Sequence, residues 1–397
     1  MSHLLPEDAV GAVLVGRIWD PATAGPRPVL VDGDTLIDLF DQFATMSELL
    51  NTENHVVLLD QLRATTARRW DLDEIAGGTF RVDDAPAIDR DAPHLLPPVD
   101  LQALKACGVT FVDSLIERVI EERCAGDFTL AEQTRSQVLD ALGGSLTGVR
   151  PGSDEAARVK EVLVREGFWS QYLEVGIGPD PEVFTKGPVL SAVGTGSRIG
   201  IPPFSSWNNP EPELVLVVDN RGRIKGCTLG NDVNLRDVEG RSALLLGMAK
   251  DNNGSTALGP FIRLFNDSYT IDHARQETIR LTVRGADGFV LNGTNSVQRL
   301  SRSFEELVGA AYGRHHQYPD GFILFTGTLF APNQDRDAPG MGFTHKTGDV
   351  VEIGSARLGT LTNMVVPTED LEPWEFGIGA HMRYLLDQRQ PVLDGRQ

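Results

Sequence analysis

Residues 208–232 read NNPEPELVLVVDNRGRIKGCTLGND. Two aliphatic runs, ELVLVVD and RIKGCTLG, are separated only by the polar link Asn220-Arg221-Gly222. A link that short joins antiparallel neighbours, because a parallel pair needs a crossover of about a dozen residues or more. The same grammar continues through ETIRLTVRG, DGFVLNG, FILFTGT and DVVEIGSARLGTLTNMVV, with one helix, SFEELVGAAYG, among them. The expected fold is therefore mixed α/β and β-rich, on mixed or antiparallel sheet, and not a doubly wound α/β fold.

Upstream, GAVLVGRIWD and PRPVLVDGDTLIDLF are β-rich runs punctuated by Pro and Gly, which predicts a small β-rich N-terminal domain over residues 1–95. The stretch 83–100, DDAPAIDRDAPHLLPPVD, holds four prolines and five aspartates and reads as an extended linker. The larger domain, 96–397, then opens with helices. Over 111–124, Leu115, Ile116, Val119 and Ile120 recur at helical spacing, with Arg118, Glu121 and Glu122 on the polar side. Residues 129–142 and 153–168 read as two more, the second with Ser153 as N-cap and Asp154 and Glu155 in its first turn.

The 397 residues carry 36 Lys+Arg against 56 Asp+Glu, a formal charge of −20 that repels nucleic acid and anionic membranes. No apolar run is long enough for a transmembrane helix, and the start lacks a secretory signal pattern. Cys107, Cys124 and Cys227 are scattered, without a CxxC pair, so neither a disulfide framework nor a zinc site is expected and a cytoplasmic location is. An acidic enzyme acting on small molecules fits best.

Glu211 and Glu213 are two apart at a strand start, so their carboxylates share a face. Like charges so placed are costly unless a proton or cation is shared; the pair is either two hard oxygen ligands for a divalent metal or two solvated glutamates. Asp232 ends the next strand, where a third carboxylate can converge. Without His or Cys beside them, these suit Mg²⁺ or Ca²⁺ and not zinc. Lys250 follows the apolar stretch SALLLGMA: desolvated, it is a base with a lowered pKa; exposed, it is a cation at a helix C-terminus. Arg118 and Glu121, i,i+3, form a surface ion pair or, over a bound substrate, an anion clamp and an acid or base. AVGTGSRIG lacks the spacing and following helix of a nucleotide loop, no GxSxG elbow occurs, and the adjacent His315 and His316 find no triad partner. Trp207 either lines a pocket or packs on the sheet.

In order, FTKGPVLSAVGTGSRIGIPP, NNPEPELVLVV, GNDVNLRDVEG, AKDNNGSTALGPF, FTGT, and GD followed by LGTLTN resemble the fumarylacetoacetate hydrolase (FAH) superfamily over roughly residues 105–385. The resemblance implies a mixed β-sheet roll as catalytic domain, and Glu211, Glu213 and Asp232 on Mg²⁺, with Mn²⁺ or Ca²⁺ as substitutes. Within the superfamily, ACGVTFVDSLIERVIEE is similar to the GVTY-x-x-S-x-x-x-R-x-x-E helix of sugar-acid dehydratases, with Phe111 for Tyr. That brings in Ser114, Arg118 and Glu121, on a helix that acts as a lid. Glu239 stands where many acylpyruvate hydrolases have Gln, Asn234 replaces a common Ser, and the His–Glu dyad of the hydrolases has no counterpart.

The likeness is strongest to dehydratases of 2-keto-3-deoxy-pentonates, the D-xylonate compound in particular, in non-phosphorylative pentose catabolism. It implies C3 deprotonation and loss of the C4 hydroxyl to give 2,5-dioxopentanoate, Glu121, Lys250 and Glu239 as acid/base groups, and Arg118, Arg236, Lys186, Thr328 and Ser114 toward the substrate. Homo-oligomers, dimer or tetramer, are expected by the same resemblance. A rival within the fold is an acylpyruvate-type C–C hydrolase. Rivals outside it are a non-catalytic sugar-acid binder and a structural calcium site, the latter without a DxDxDG loop.

Overall fold

The computed structural model describes residues 4–65, 67–80, 88–125, 127–142, 149–165, 167, 169–328, 332, 334–337 and 342–394, without the side chains of 112–114, 138–142 and 390–394. The described residues form an eleven-stranded sheet facing a five-stranded one, both mixed and not closed, and a two-stranded ribbon of Asn208–Asn209 with Asn234–Leu235. At the centre of the large sheet, Pro212–Val218 pairs antiparallel with Ile224–Asp232, as the short link dictates. Ile224–Asp232 pairs with Thr256–Leu264, and Pro212–Val218 with Phe322–Phe325, both antiparallel. Phe322–Phe325 runs parallel to Ala103–Gly108, beside which Glu182–Gly187 forms the edge.

The period of two decides what each face buries. Leu214, Leu216 and Val218 join Cys227 and Leu229 against Ile279, Leu281, Val283, Val351 and Ile353 of the five-stranded sheet. Val215 and Val217 point the other way, toward Leu30, Met46, Leu49 and Leu50. Each of these fully buried aliphatic side chains contributes about 1.5–3 kcal/mol, so the central pair is held from both faces.

The N-terminal strands extend the same large sheet. Leu14–Asp20 pairs with Thr256–Leu264 on one side and Gly25–Asp32 on the other. The 83–100 stretch departs from the expected free linker. Residues 83–87 lie outside the described residues, but His94–Leu96 pairs with Leu14–Asp20, and Val99 and Asp100 are buried. Asp100 accepts hydrogen bonds from the amides of Met46 (2.6 Å) and Ser47 (3.1 Å) at the start of a helix, so its charge is bound into a helix N-terminus.

The expected helices form over Val112–Arg123, Ala131–Leu142 and Asp154–Arg165, the last with the Ser153 hydroxyl accepting from the Ala156 amide at 3.1 Å. Val112–Arg123 packs Leu115, Val119 and Ile120 against Leu163, Leu173, Ile177 and Trp207. Its polar side is not the solvated face that helix periodicity suggests: Arg118 is 6 % exposed and Glu121 0 %. Among the described residues no helix is long and apolar enough to cross a membrane.

Candidate active site and metal centre

Glu211, Glu213 and Asp232 converge where the two central strands meet. Glu213 stands opposite Gly230, the Asp232 amide donates to the Glu211 carbonyl (3.1 Å), and the Glu211 amide to Asn231 Oδ1 (3.0 Å). One carboxylate oxygen from each residue lies within 4.8 Å of the others, and all three residues are buried. The amide of Gly327 donates to Glu213 Oε2 over 2.7 Å, while Oε1 has no hydrogen-bond partner. Burial, then the charges of Asp232 and Glu211, push the Glu213 carboxyl well above the usual range. Burial also opposes charge on Glu211, but Lys250 and Arg118 hold its pKa down.

These three side chains fit a hard divalent cation. They offer oxygens only, two of them, Glu213 Oε1 and Asp232 Oδ1, without a hydrogen-bond partner, in a group that repels itself when fully ionised. Three cations ring the cluster. Lys250 Nζ lies 2.5 Å from Glu211 and 3.2 Å from Asp232. Lys186 Nζ lies 3.2 Å from Asp232 and also donates to the Lys250 carbonyl and to Ser255 Oγ (3.1 Å). Arg118 pairs with Glu211, with Glu121 at 2.6 Å and with Glu239 at 3.4 Å. The i,i+3 pair on the helix is thus a buried bridge to the cluster.

Of the two alternatives for Lys250, the fold takes the buried one, but without the lowered pKa that burial alone would give. Burial does oppose the ammonium, but Asp232, Glu211 and Glu239 outweigh it and raise the pKa. Lys186, equally buried, keeps a lowered pKa, since burial and the neighbouring Lys250 count against Asp232. The stretch before Lys250 is a 3₁₀ turn, Ala243–Leu245, followed by Leu246–Lys250, with Leu244 95 % exposed.

A small cavity beside the cluster is lined by Arg118, Glu182, Glu211, Asp232, Glu239, Lys250 and Thr328, with Cys107 and Phe184 among its other walls. Glu239 Oε2 has no hydrogen-bond partner, and burial foremost pushes its carboxyl up to about 7. Arg236 and Glu121 bond to each other at 2.7 Å, and the Arg236 guanidinium stacks 4.2 Å over Trp207, which is buried against the Val112–Arg123 helix. Ser114 sits on the Val112–Arg123 helix, its side chain outside the described residues. His315 is exposed and His316 stacks on Tyr318 (4.5 Å), both away from the cavity.

Glu182 is the group sequence reasoning missed. It pairs in register with Gly108, and a Cβ at 108 would fall 1.9 Å from Glu182 Oε2, so glycine there makes room for the carboxylate. Burial raises its pKa, with Arg118 and Lys250 opposing. Its period-two spacing with Phe184 and Lys186 was the available signal.

Fold and site together define a candidate divalent-metal centre on a mixed, β-rich scaffold. Residues 164–366 match the family model described as fumarylacetoacetate (FAA) hydrolase C-terminal, just over half of the 397 residues, and the chain belongs to that family. A probable 2-keto-3-deoxyxylonate dehydratase of Haloferax volcanii is 29 % identical over 67 % of this chain and 86 % of its own length. A 2-dehydro-3-deoxy-D-arabinonate dehydratase of Saccharolobus solfataricus is 34 % identical over 47 % of this chain and 58 % of its own. A solved 2-keto-3-deoxy-D-arabinonate dehydratase, complexed with magnesium and 2,5-dioxopentanoate, shares the fold. It aligns at TM-score 0.59 and 22 % identity over 89 % of this chain and 99 % of that one.

Proposed function

We propose that this protein is a Mg²⁺-dependent hydro-lyase that converts a 2-keto-3-deoxy-pentonate, the D-xylonate compound foremost, to 2,5-dioxopentanoate. The observation that carries the reading is the buried triad of Glu211, Glu213 and Asp232 with Lys250 against it, in a chain whose curated relatives are dehydratases. A divalent cation held by these three carboxylates would polarise the C2 carbonyl of a 2-oxo acid and make its C3 protons acidic.

The chain's own residues supply the rest. Lys250 is protonated while Glu211 and Asp232 face it; once those oxygens are committed elsewhere, the burial that already opposes its charge favours the neutral amine. It then takes the C3 proton. Glu239, a carboxylic acid up to about pH 7, gives its proton to the departing C4 oxygen, and one water leaves for each substrate. The 5-hydroxy-2-oxo-3-enoate so formed tautomerises, a proton passing from C5 to C3 and the C5 hydroxyl proton to C4, to give 2,5-dioxopentanoate. Arg118 and Thr328, on the cavity wall, take the substrate carboxylate or a hydroxyl, and Lys186 offsets the charge of Asp232. Glu121 supports Arg118 from behind. Residues 1–95 serve as the smaller unit beside a catalytic 96–397, and the working form is a cytoplasmic homo-oligomer.

The test is a coupled assay on 2-keto-3-deoxy-D-xylonate with Mg²⁺, following oxidation of 2,5-dioxopentanoate by its dehydrogenase. Turnover lost with EDTA and in Glu213→Ala supports the reading. Pyruvate released from an acylpyruvate, with no turnover of the deoxy sugar acid, replaces it with C–C hydrolysis.

A further inference from the structure

The ion pairs around the cavity continue past it into the protein. Arg236 donates from Nε to Glu121 (2.7 Å), from Nη2 to Glu117 (3.0 Å) and from Nη1 to the Pro332 carbonyl (3.2 Å). Glu117 in turn accepts a forked pair from Arg135, Nε at 3.2 Å and Nη2 at 2.9 Å. Arg135 belongs to Ala131–Leu142, a different helix. Charge therefore alternates without a break through Arg135, Glu117, Arg236, Glu121, Arg118 and Glu211, from that helix to the carboxylate cluster.

Neither Glu117 nor Arg135 lines the cavity. Their effect on it runs through Arg236, whose side chain is 2 % exposed against 11 % for Glu117 and 22 % for Arg135. Glu117 and Glu121 are one helical turn apart, and Arg236 bridges them from the Arg236–Glu239 helix, with Trp207 beneath its plane. Two carboxylates and a ring leave a planar guanidinium one orientation. Without Glu117, Arg236 keeps Glu121 and a single carbonyl as polar partners among the described residues, and the Nη2 end loses its anchor.

We propose that Glu117, backed by Arg135, is a positioning residue that fixes Arg236 and thereby holds Glu121 and Arg118 in register with the metal-ligating carboxylates. Its kinetic consequence rests on the dehydratase reading; its geometric consequence does not. The test compares Arg135→Ala, Arg135→Lys and Glu117→Gln with the full-length wild type. It measures kcat and KM on 2-keto-3-deoxy-D-xylonate with Mg²⁺, amide hydrogen exchange over 112–123 without substrate, and thermal midpoints. Arg135→Ala and Glu117→Gln are expected to lower kcat about tenfold with KM within about threefold, and to speed exchange over 115–123 by a similar factor. Arg135→Lys, which keeps the charge, recovers most of both. Wild-type kcat and exchange in both charge-removing variants overturn the proposal. So does a loss that Lys does not relieve and that follows the thermal midpoint. Should the wild type turn over no deoxy sugar acid, the dehydratase reading falls, and exchange over 112–123 alone decides the positioning claim.

Discussion

The backbone amide of Gly327 donates to Glu213 Oε2 over 2.7 Å, so the strand-end turn after Phe322–Phe325 aims a carboxylate of the candidate metal centre. Gly327 has φ +97°, and a Cβ there would fall 2.0 Å from Thr110 Oγ1. Both the left-handed backbone and the contact exclude a larger residue. Gly327→Ala is expected to cost about 1–3 kcal/mol in urea unfolding and to weaken the stabilisation given by Mg²⁺. Unchanged midpoints with and without Mg²⁺ would refute this.

Mg²⁺ itself should stabilise the fold. A ligand that binds only the native state adds about 2.7 kcal/mol at a hundred times its Kd, seen as a rise in thermal midpoint that EDTA reverses. Glu213→Gln should abolish that rise. In EDTA the same variant should melt at or above the wild-type midpoint, because it removes a carboxylate that burial, Asp232 and Glu211 all oppose. A large loss of stability in EDTA would mean that Glu213 is a structural anchor instead.

His55 predicts an acid-side loss of stability. It is buried at the start of His55–Leu62, and burial first, then the charge of Lys225, push its pKa down to about 4 from an ordinary 6.5. Between those values the unfolded chain binds a proton that the folded one does not. The contribution is therefore complete above the unfolded value and is lost as pH falls from there toward 4. After allowance for its partial burial, the loss is about 1–2 kcal/mol. Urea unfolding of wild type and His55→Leu at neutral and mildly acidic pH should show a shallower acid decline in the variant; parallel declines would exclude His55 as the source.

What the chain makes legible is what depends on near neighbours. Period-two spacing places Glu211 and Glu213 on one face, and the Asn220-Arg221-Gly222 link puts Asp232 beside them, so triad and sheet follow from one local pattern. Arg118 and Glu121 mark the limit: an i,i+3 ion pair reads the same in water as beneath Arg236 and against Glu211, and only tertiary packing separates the two. Glu182 reaches the cavity through strand pairing with residues some seventy positions earlier, and His94–Leu96 turns from linker to strand by pairing with Leu14–Asp20. For Lys250 the sequence leaves burial and exposure open; the fold buries it, and its pKa rises because three carboxylates from other elements outweigh that burial.

In the proposed dehydration the acid role falls to Glu239 or to Glu121, and pH separates the two. Glu239 lines the cavity with Oε2 facing Arg118 at 3.4 Å but without a hydrogen bond, and burial raises its carboxyl to about 7; Glu121 lies behind Arg118 and Arg236, with an ion pair on each oxygen. A raised carboxyl is a proton donor below its pKa and a bare carboxylate above it. Turnover that needs Glu239 as acid therefore falls about tenfold per pH unit beyond about 7. Glu239→Gln can still hydrogen-bond but cannot deliver a proton, so kcat should drop about a hundredfold and the alkaline fall should vanish. Glu121→Gln should lower kcat through its hold on Arg118 while leaving that alkaline fall in place. The opposite pattern, with the fall surviving in Glu239→Gln and lost in Glu121→Gln, would transfer the acid role to the helix and require Arg118 to swing away from Glu121 when substrate binds.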